Sequence, residues 1–457
     1  MNHRKEKTIV MTEGNPYRLL LTFAFPLMLG NVFQQMYTVV DTMVVGKGLG
    51  VDALAAVGAA DWLNWMSLGT ISGIAQGFSI PMAQEFGAGN QEKLKKTIGN
   101  AMTLSAVCAV VLLVLFQMIA LPVLRILDTP AEILPMSMLY VRIFFAGIPI
   151  SMMYNVLAAT LRAMGDGKTP LYAMIVASFV NIVLDVLFVI ALPFGVAGAA
   201  VATLIAQVVA AVYCYGELRR SGGMVLSGPD FRMEGHLCGR LLKLSVPLAF
   251  QNAIIAVGGM IVQFVVNGFG VLFIAGYTAT NKLYGVLEIA ATSFGYAIST
   301  YVGQNVGAGE RKRLNSGHIA ALVLCLAVSL VISAAMLLFG KVFIQMFLSG
   351  TPEEIAAAGA VAYRYLMFMS LALPALYLLY VYRSALQGMG NTLIPMLSGI
   401  LEFLMRTGAV LGLTVLIGSD GIFWAEILAW IGAAVLLGIS YYIIMGKMKF
   451  PEQEEAR

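Results

Sequence analysis

Residues Ile319–Gly340 read IAALVLCLAVSLVISAAMLLFG, a run of apolar and small residues without one charge. About 20 such residues are enough to cross the hydrocarbon core of a bilayer as a helix. Runs of this kind recur along the whole chain. Twelve can be read, at roughly 17–46, 53–83, 97–121, 133–160, 170–191, 194–216, 241–267, 272–303, 316–340, 356–384, 393–417 and 420–445. In lipid every backbone polar group must find its partner within the protein, which leaves helices or a closed barrel. Barrel strands are about ten residues long and alternate in polarity. These runs are longer and continuously apolar. The sequence therefore predicts an all-α integral membrane protein with twelve transmembrane helices. The first run, from Tyr17, is too long for the apolar region of a signal peptide and is expected to stay as the first span.

Charge is the scarce commodity. Only 11% of the 457 residues are charged and 60% are hydrophobic, against about 25% charged in a typical soluble chain. That excludes an ordinary soluble enzyme, and disorder as well, which needs low hydrophobicity. A formal net charge of +4 is too small to suggest a nucleic-acid partner. Lys and Arg favour cytoplasmic loops. With the N-terminus inside, 21 bases fall on the inner side: Arg4, Lys5, Lys7, Arg18, Lys93, Lys95, Lys96, Arg162, Lys168, Arg219, Arg220, Arg232, Arg240, Lys243, Arg311, Lys312, Arg313, Arg383, Lys447, Lys449 and Arg457. The outer loops hold three, Lys47, Arg125 and Lys341. Both termini are expected to be cytoplasmic. The four cysteines form no CxxC and no zinc spacing, so core packing is their reading.

The chain contains itself twice. Gln84-Glu-Phe-Gly-Ala-Gly89 closes span 2, and Gln304-Asn-Val-Gly-Ala-Gly309 closes span 8. Pro26 and Asn31 in span 1 match Pro247 and Asn252 in span 7. Leu161-Arg-Ala-Met-Gly-Asp-Gly-Lys-Thr-Pro170 follows span 4, and Leu386-Gln-Gly-Met-Gly-Asn-Thr-Leu-Ile-Pro395 follows span 10. An even number of spans per repeat gives two halves of like orientation, related by a pseudo-twofold axis along the membrane normal. The expected division is an N-lobe at 1–217, a cytoplasmic linker at 218–239 holding Gly222-Gly223 and Pro229, and a C-lobe at 240–457.

Ionisable groups at membrane depth cost about 2.5–3.5 kcal/mol at mid-helix on insertion scales, so those that persist are candidates for function. The acids in spans are Asp41, Asp61, Asp185, Glu288, Glu402 and Glu426, the last near a span end. Gln34, Tyr37 and Asp41 share one helical face. Asn181 lies one turn before Asp185, with Asn155 in span 4 and Thr203 in span 6. Two carboxylates with amide and hydroxyl neighbours suit a proton or a Na⁺, the latter held by Asp41, Asn181, Asp185 and Thr203. Gln34, Tyr37, Met36, Asp61 and Glu288 are expected to line the substrate cavity, whose pliability the 27 methionines would serve. Glu402 and Arg406, four apart, are expected to pair along one helix.

These residues carry a resemblance. Val39-Val-Asp-Thr-Met-Val-Val-Gly46, Ala53-Leu-Ala-Ala-Val-Gly58, the two GAG turns and LRAMGDGKTP together resemble the multidrug and toxic compound extrusion (MATE) transporters over nearly the whole chain. The resemblance implies twelve helices in two lobes and export of cationic, amphipathic compounds driven by H⁺ or Na⁺. It implies a cation-coupling site at Asp41, Asn181 and Asp185, with Gln34, Tyr37, Asn155 and Thr203 at further polar positions and Pro26 where span 1 bends. Another branch of the family has acids in spans 7 and 10. Here those spans read Phe250-Gln-Asn-Ala-Ile-Ile-Ala256 and Leu376-Tyr-Leu-Leu-Tyr380, with no acid. Coupling is therefore expected in the N-lobe, as in the DinF-like branch.

The expected function is a multidrug antiporter of the cell membrane, a monomer, with no cofactor beyond its coupling ion and with membrane lipids around it. The alternative is a lipid-linked precursor flippase of the same superfamily, which should line its cavity with Arg or Lys. A membrane enzyme is not expected, because HExxH and GxxxxGK[ST] motifs are absent from the sequence.

Overall fold

A computed structural model describes residues 8–127, 129–220, 226–348 and 351–448. Arg4, Lys5, Lys7, Lys449 and Arg457 lie outside the described residues, as do Gly222 and Gly223 of the linker. Every regular element among the described residues is helical. In chain order these are α1 (Pro16–Leu49), α2 (Val51–Gly87), α3 (Gln91–Ile126), α4 (Leu134–Ala146), α5 (Ile148–Ala163), α6 (Lys168–Asp185), a π-helical turn (Val186–Ala191) and α7 (Gly195–Arg220). A 3₁₀ turn (Gly228–Phe231) leads to α8 (Gly235–Asn267), α9 (Val271–Gly307), α10 (Arg311–Gln345), α11 (Pro352–Gly388), α12 (Leu393–Ile417) and α13 (Asp420–Lys447).

The chain is a multi-pass membrane protein. Among the described residues nine helices are long and apolar enough to cross a bilayer, ten when α4 and α5, bent by 47° at Gly147, count as one span. The sequence expectation was twelve. The other two long helices, α2 and α9, have 37 residues each but polar residues along their length. Asn64, Ser67 and Thr70 of α2 and Thr280, Gln304 and Asn305 of α9 are buried. A helix that faces neighbouring helices rather than lipid has no need to be apolar.

The repeat is visible in the backbone. Gly89 and Gly309 close the two QxxGAG segments at φ +70° and +76°, and the preceding Ala88 and Ala308 amides each reach back to the Gln carbonyl at 2.9 and 3.0 Å. The left-handed conformation there favours glycine. Gly50 with Gly270, Gly165 with Gly390 and Gly195 with Gly418 match in the same sense. Local capping differs: Asn90 caps α3 by accepting from the Lys93 amide at 3.1 Å, whereas Glu310, at the same place before α10, makes no side-chain cap bond.

Two compact units are present. One contains residues 8–13 and 25–253, the other 14–24 and 254–448, among the described residues. In the first, α2, α3 and α7 pack around α5, and α6 packs on α7. Its core includes Phe78, Phe116, Phe145 and Leu161. In the second, α9, α10 and α13 surround α11, and α12 packs on α13. Tyr277, Tyr365 and Phe423 stack there with centroids 5.0 and 4.8 Å apart. The unit boundary crosses α1 at Ala24 and Phe25, directly before Pro26. Pro26 lies inside a continuous helix, where its missing N–H leaves the Thr22 carbonyl without its usual helical donor.

The described part of the linker is strapped to α3. The Ser227 amide and hydroxyl donate to Asp230 Oδ2 at 2.7 and 2.8 Å. Asn100 donates to the Asp230 carbonyl at 3.4 Å and accepts from the Glu234 amide at 2.7 Å. Thr103 donates to the Phe231 carbonyl at 3.1 Å. Gly99 is required beneath the strap, since a Cβ there would run into the Asp230 carbonyl.

Candidate functional site

The site in the first unit is built from the ends and faces of four helices. On α1, Tyr37 is hydrogen-bonded to the Gln34 side chain and lies within electrostatic reach of both Asp41 and Asp185. Asp185 is the last residue of α6, and the chain turns π-helical directly after it. Widened turns of that kind are frequent at functional sites because they re-aim a side chain out of helical register. Here the Leu192 amide reaches five residues back, to the Leu187 carbonyl at 2.8 Å. Asn181, one turn earlier, donates to Thr203 Oγ1 of α7 at 3.5 Å.

Asp185 and Asn181 are both 0% exposed. Both carboxylate oxygens of Asp185, Oδ1 of Asp41 and Oδ1 of Asn181 are buried without a hydrogen-bond partner in the protein. Nearly all buried polar atoms have a partner, and an unpaired buried anion is costly. Four such oxygens are thus collected on α1 and α6. Asp41 and Asp185 feel each other's charge, and Asp61 of α2 acts on Asp41.

Of the residues expected at the cation site, Asn155 stands apart from this cluster. Asn155 donates to the Ser151 carbonyl at 2.9 Å and accepts from Ser72 of α2 at 3.3 Å. Its polar groups are thus engaged with α2 and its own helix. Asp61 is exposed. Gln34 and Met36 are also exposed. Tyr140 of α4 was not anticipated: it is buried and within electrostatic reach of Asp41, Asp61 and Asp185. Nothing in the sequence distinguishes it from the other 17 tyrosines. Among the described residues, no group of three or more His, Cys, Asp or Glu side chains could hold a metal ion.

The second unit carries its buried acids differently. Glu288 of α9 accepts a hydrogen bond from the Tyr380 hydroxyl of α11 at 2.5 Å. Glu402 does not take Arg406 as its ion-pair partner, contrary to the spacing argument. It pairs with Arg383 of α11, and Arg406 pairs with Glu426 of α13 at 3.0 Å. An i,i+4 spacing allows a pair along a helix, but each side chain here meets an opposite charge on a facing helix. Arg383 is itself a correction. Counted with the inner loops by its place at a span end, it lies within α11 and is 9% exposed. Its ring neighbour Tyr380, 5.8 Å from the guanidinium carbon, adds a cation–π contact.

Fold and site together define a polytopic helical membrane protein with a duplicated sequence and, in its first half, buried carboxylate oxygens that accept no hydrogen bond from the protein. The chain belongs to the MatE family, whose model matches residues 26–187 and 247–411. It is a transport protein, not an enzyme. It is 31% identical over 324 residues to the probable multidrug resistance protein YoeA of Bacillus subtilis, covering 69% of this chain and 70% of that one. It is 24% identical over 367 residues to an FAD transporter of Shewanella oneidensis, covering 79% and 78%. The solved structure of a MOP superfamily transporter from Pyrococcus furiosus superposes with a TM-score of 0.89 at 22% identity, covering 97% of this chain and 99% of that one.

Proposed function

We propose that this protein exports cationic, amphipathic compounds in exchange for H⁺ or Na⁺ by alternating access. Asp41 and Asp185 couple the two movements, with Asn181 and Thr203 completing the ion's oxygen donors and Pro26 as the hinge of α1. In this reading the chain spans the cell membrane twelve times, with α2 and α9 added to the ten apolar spans. Both termini are cytoplasmic, and residues 1–217 and 240–457 act as two lobes joined by the 218–239 linker, with the coupling site in the first as in the DinF-like branch.

The observation that carries the proposal is the set of buried, unpartnered oxygens on Asp41, Asn181 and Asp185. Coupling requires that ion and drug prefer different states of the transporter. A carboxylate with no internal counter-charge supplies that difference, because its charge state changes the stability of the conformation that buries it. The family membership and the multidrug-resistance relative support the substrate class. The flippase alternative calls for uncompensated cations in the cavity. Arg383 and Arg406, the two buried arginines of the second unit, are each matched by a glutamate.

The test is efflux of a fluorescent organic cation from proteoliposomes under an imposed pH or Na⁺ gradient. Asp41→Asn is expected to lower gradient-driven flux by about 100-fold, near the upper end for a coupling free energy, at normal membrane levels. Flux at the wild-type rate in that variant overturns the coupling assignment. The gradient that drives wild-type flux identifies the ion.

A further inference from the structure

On the first unit, α3, α5 and α7 leave an apolar groove of about 420 Å³, lined by Met102, Met153, Leu157, Val212, Tyr215 and Phe231. Five of these side chains belong to helices that span the membrane. The sixth, Phe231, belongs to the linker strap. The strap is fixed by hydrogen bonds at Asp230, Phe231 and Glu234, so Phe231 is held against the groove rather than left to find shelter. It is 37% exposed, and Met233 two residues on is 51% exposed. A fastened segment outside the helices that presents two large apolar side chains with an exposed arginine, Arg232, between them has the composition of an interfacial anchor.

Each of two lining residues has an arginine beside it: Arg232 follows Phe231 in the chain, and Arg219 sits by Tyr215. Arg219 lies over the Tyr215 ring, 5.9 Å from its centroid, and is exposed. The stack holds the guanidinium beside a side chain that lines the groove. Apolar walls with a basic rim match one occupant by charge and shape: an acyl chain in the groove and an anionic phosphate at the rim.

We infer that this groove is a binding site for one anionic glycerophospholipid. An acyl chain lies between α3, α5 and α7 beneath Phe231, and the headgroup phosphate is held by Arg219 and Arg232. The inference rests on the membrane reading of the chain and assigns the lipid to the leaflet on the linker side. It does not rest on the transport cycle, so its test is scored without transport.

The full chain, purified and stripped of lipid in detergent, is titrated with phosphatidylglycerol and, separately, with phosphatidylcholine of the same acyl chains, and bound lipid is counted by native mass spectrometry. One phosphatidylglycerol is expected to bind well before any phosphatidylcholine. Each arginine contributes about a fivefold preference, the size of one basic residue at an anionic surface. Arg219→Gln with Arg232→Gln is expected to lower phosphatidylglycerol binding by about 25-fold on the same basis, and phosphatidylcholine, whose choline cation offsets its phosphate, by much less, so that the preference is lost. Val212→Trp fills the groove from a position already 64% exposed, so it leaves the core intact, and is expected to lower the binding of both. Equal binding of the two lipids by the wild type, or an unchanged preference in the double arginine variant, overturns the proposal. Unchanged binding in Val212→Trp overturns the placement of the chain in the groove.

Discussion

In the second unit Glu402, 4% exposed, faces Arg383, and Glu426 faces Arg406. In the first unit Asp185, buried as deeply, accepts no hydrogen bond from the protein. The two halves share an ancestral pattern of glycines and prolines, so the difference lies in the chemistry mounted on like backbones. Taking a charge out of water costs several kcal/mol per ion, and a well-placed partner offsets much of it. An arginine on a facing helix balances the charge of each of these two glutamates. Glu288, without an arginine, takes a fixed neutral donor, the Tyr380 hydroxyl, and Asp185 takes neither. Glu402 and Glu426 are thereby suited to holding helices together, whereas Asp41 and Asp185 are the acids that the proposed function assigns to the coupling ion.

The largest effect is expected from breaking a pair on the second side. Glu402→Gln leaves the Arg383 guanidinium buried without its counter-charge, which typically destabilises by 3–5 kcal/mol. A clear drop in the detergent melting temperature and in membrane levels should follow. Replacing both partners, Arg383→Met with Glu402→Met, removes the stranded charge and should restore most of that stability. If the single variant melts like the wild type, the pair is not holding α11 to α12, and the contrast between the units fails on its structural side.

Asp185→Asn should do the reverse. Removing an unpartnered carboxylate abolishes no internal hydrogen bond, so the melting temperature should hold or rise, while ion-driven flux in proteoliposomes falls by about 100-fold. A variant that melts far below the wild type would mean that Asp185 is structural. A variant that melts normally and transports normally would mean that Asp41 couples alone.

Much of this contrast was legible in the sequence, and the illegible part has a physical cause. The acids Asp41 and Asp185 stand out because charge is scarce at membrane depth. The repeat stands out because glycines with left-handed backbone and helix-starting prolines cannot be exchanged freely. Which acid meets which base was not legible. Glu402 and Arg406 satisfy the helical spacing rule as well as any pair, and only the placement of α11 and α13 shows that Arg383 and Glu426 take them. Arg383 was hidden by its position, since an arginine near a span end reads equally as a loop residue. The π-helical turn after Asp185 has no sequence signature, because Val186–Ala191 is an apolar stretch like many others. The polar character of α2 and α9 tells of helices in the interior, but only burial of Asn64, Gln304 and Asn305 makes that visible.

Asp230 shows a further way of settling an acid, shared with Glu288 and its Tyr380 hydroxyl, and the smallest effect. It is satisfied by neutral donors, the amide and hydroxyl of Ser227, and these hold its carboxyl below the usual carboxylate range. The folded value lies below the unfolded one, near 3.9. The strap therefore gains stability that is fully present above about pH 4 and is lost as the pH falls through the depressed folded value. Hydrogen exchange of residues 226–234 reads this directly. At neutral pH Asp230→Ala should exchange about fivefold faster than the wild type, the scale of losing one cap, and acidification should bring the wild type to the variant's protection. A strap that stays equally protected in the variant is held by Asn100 and Thr103 alone.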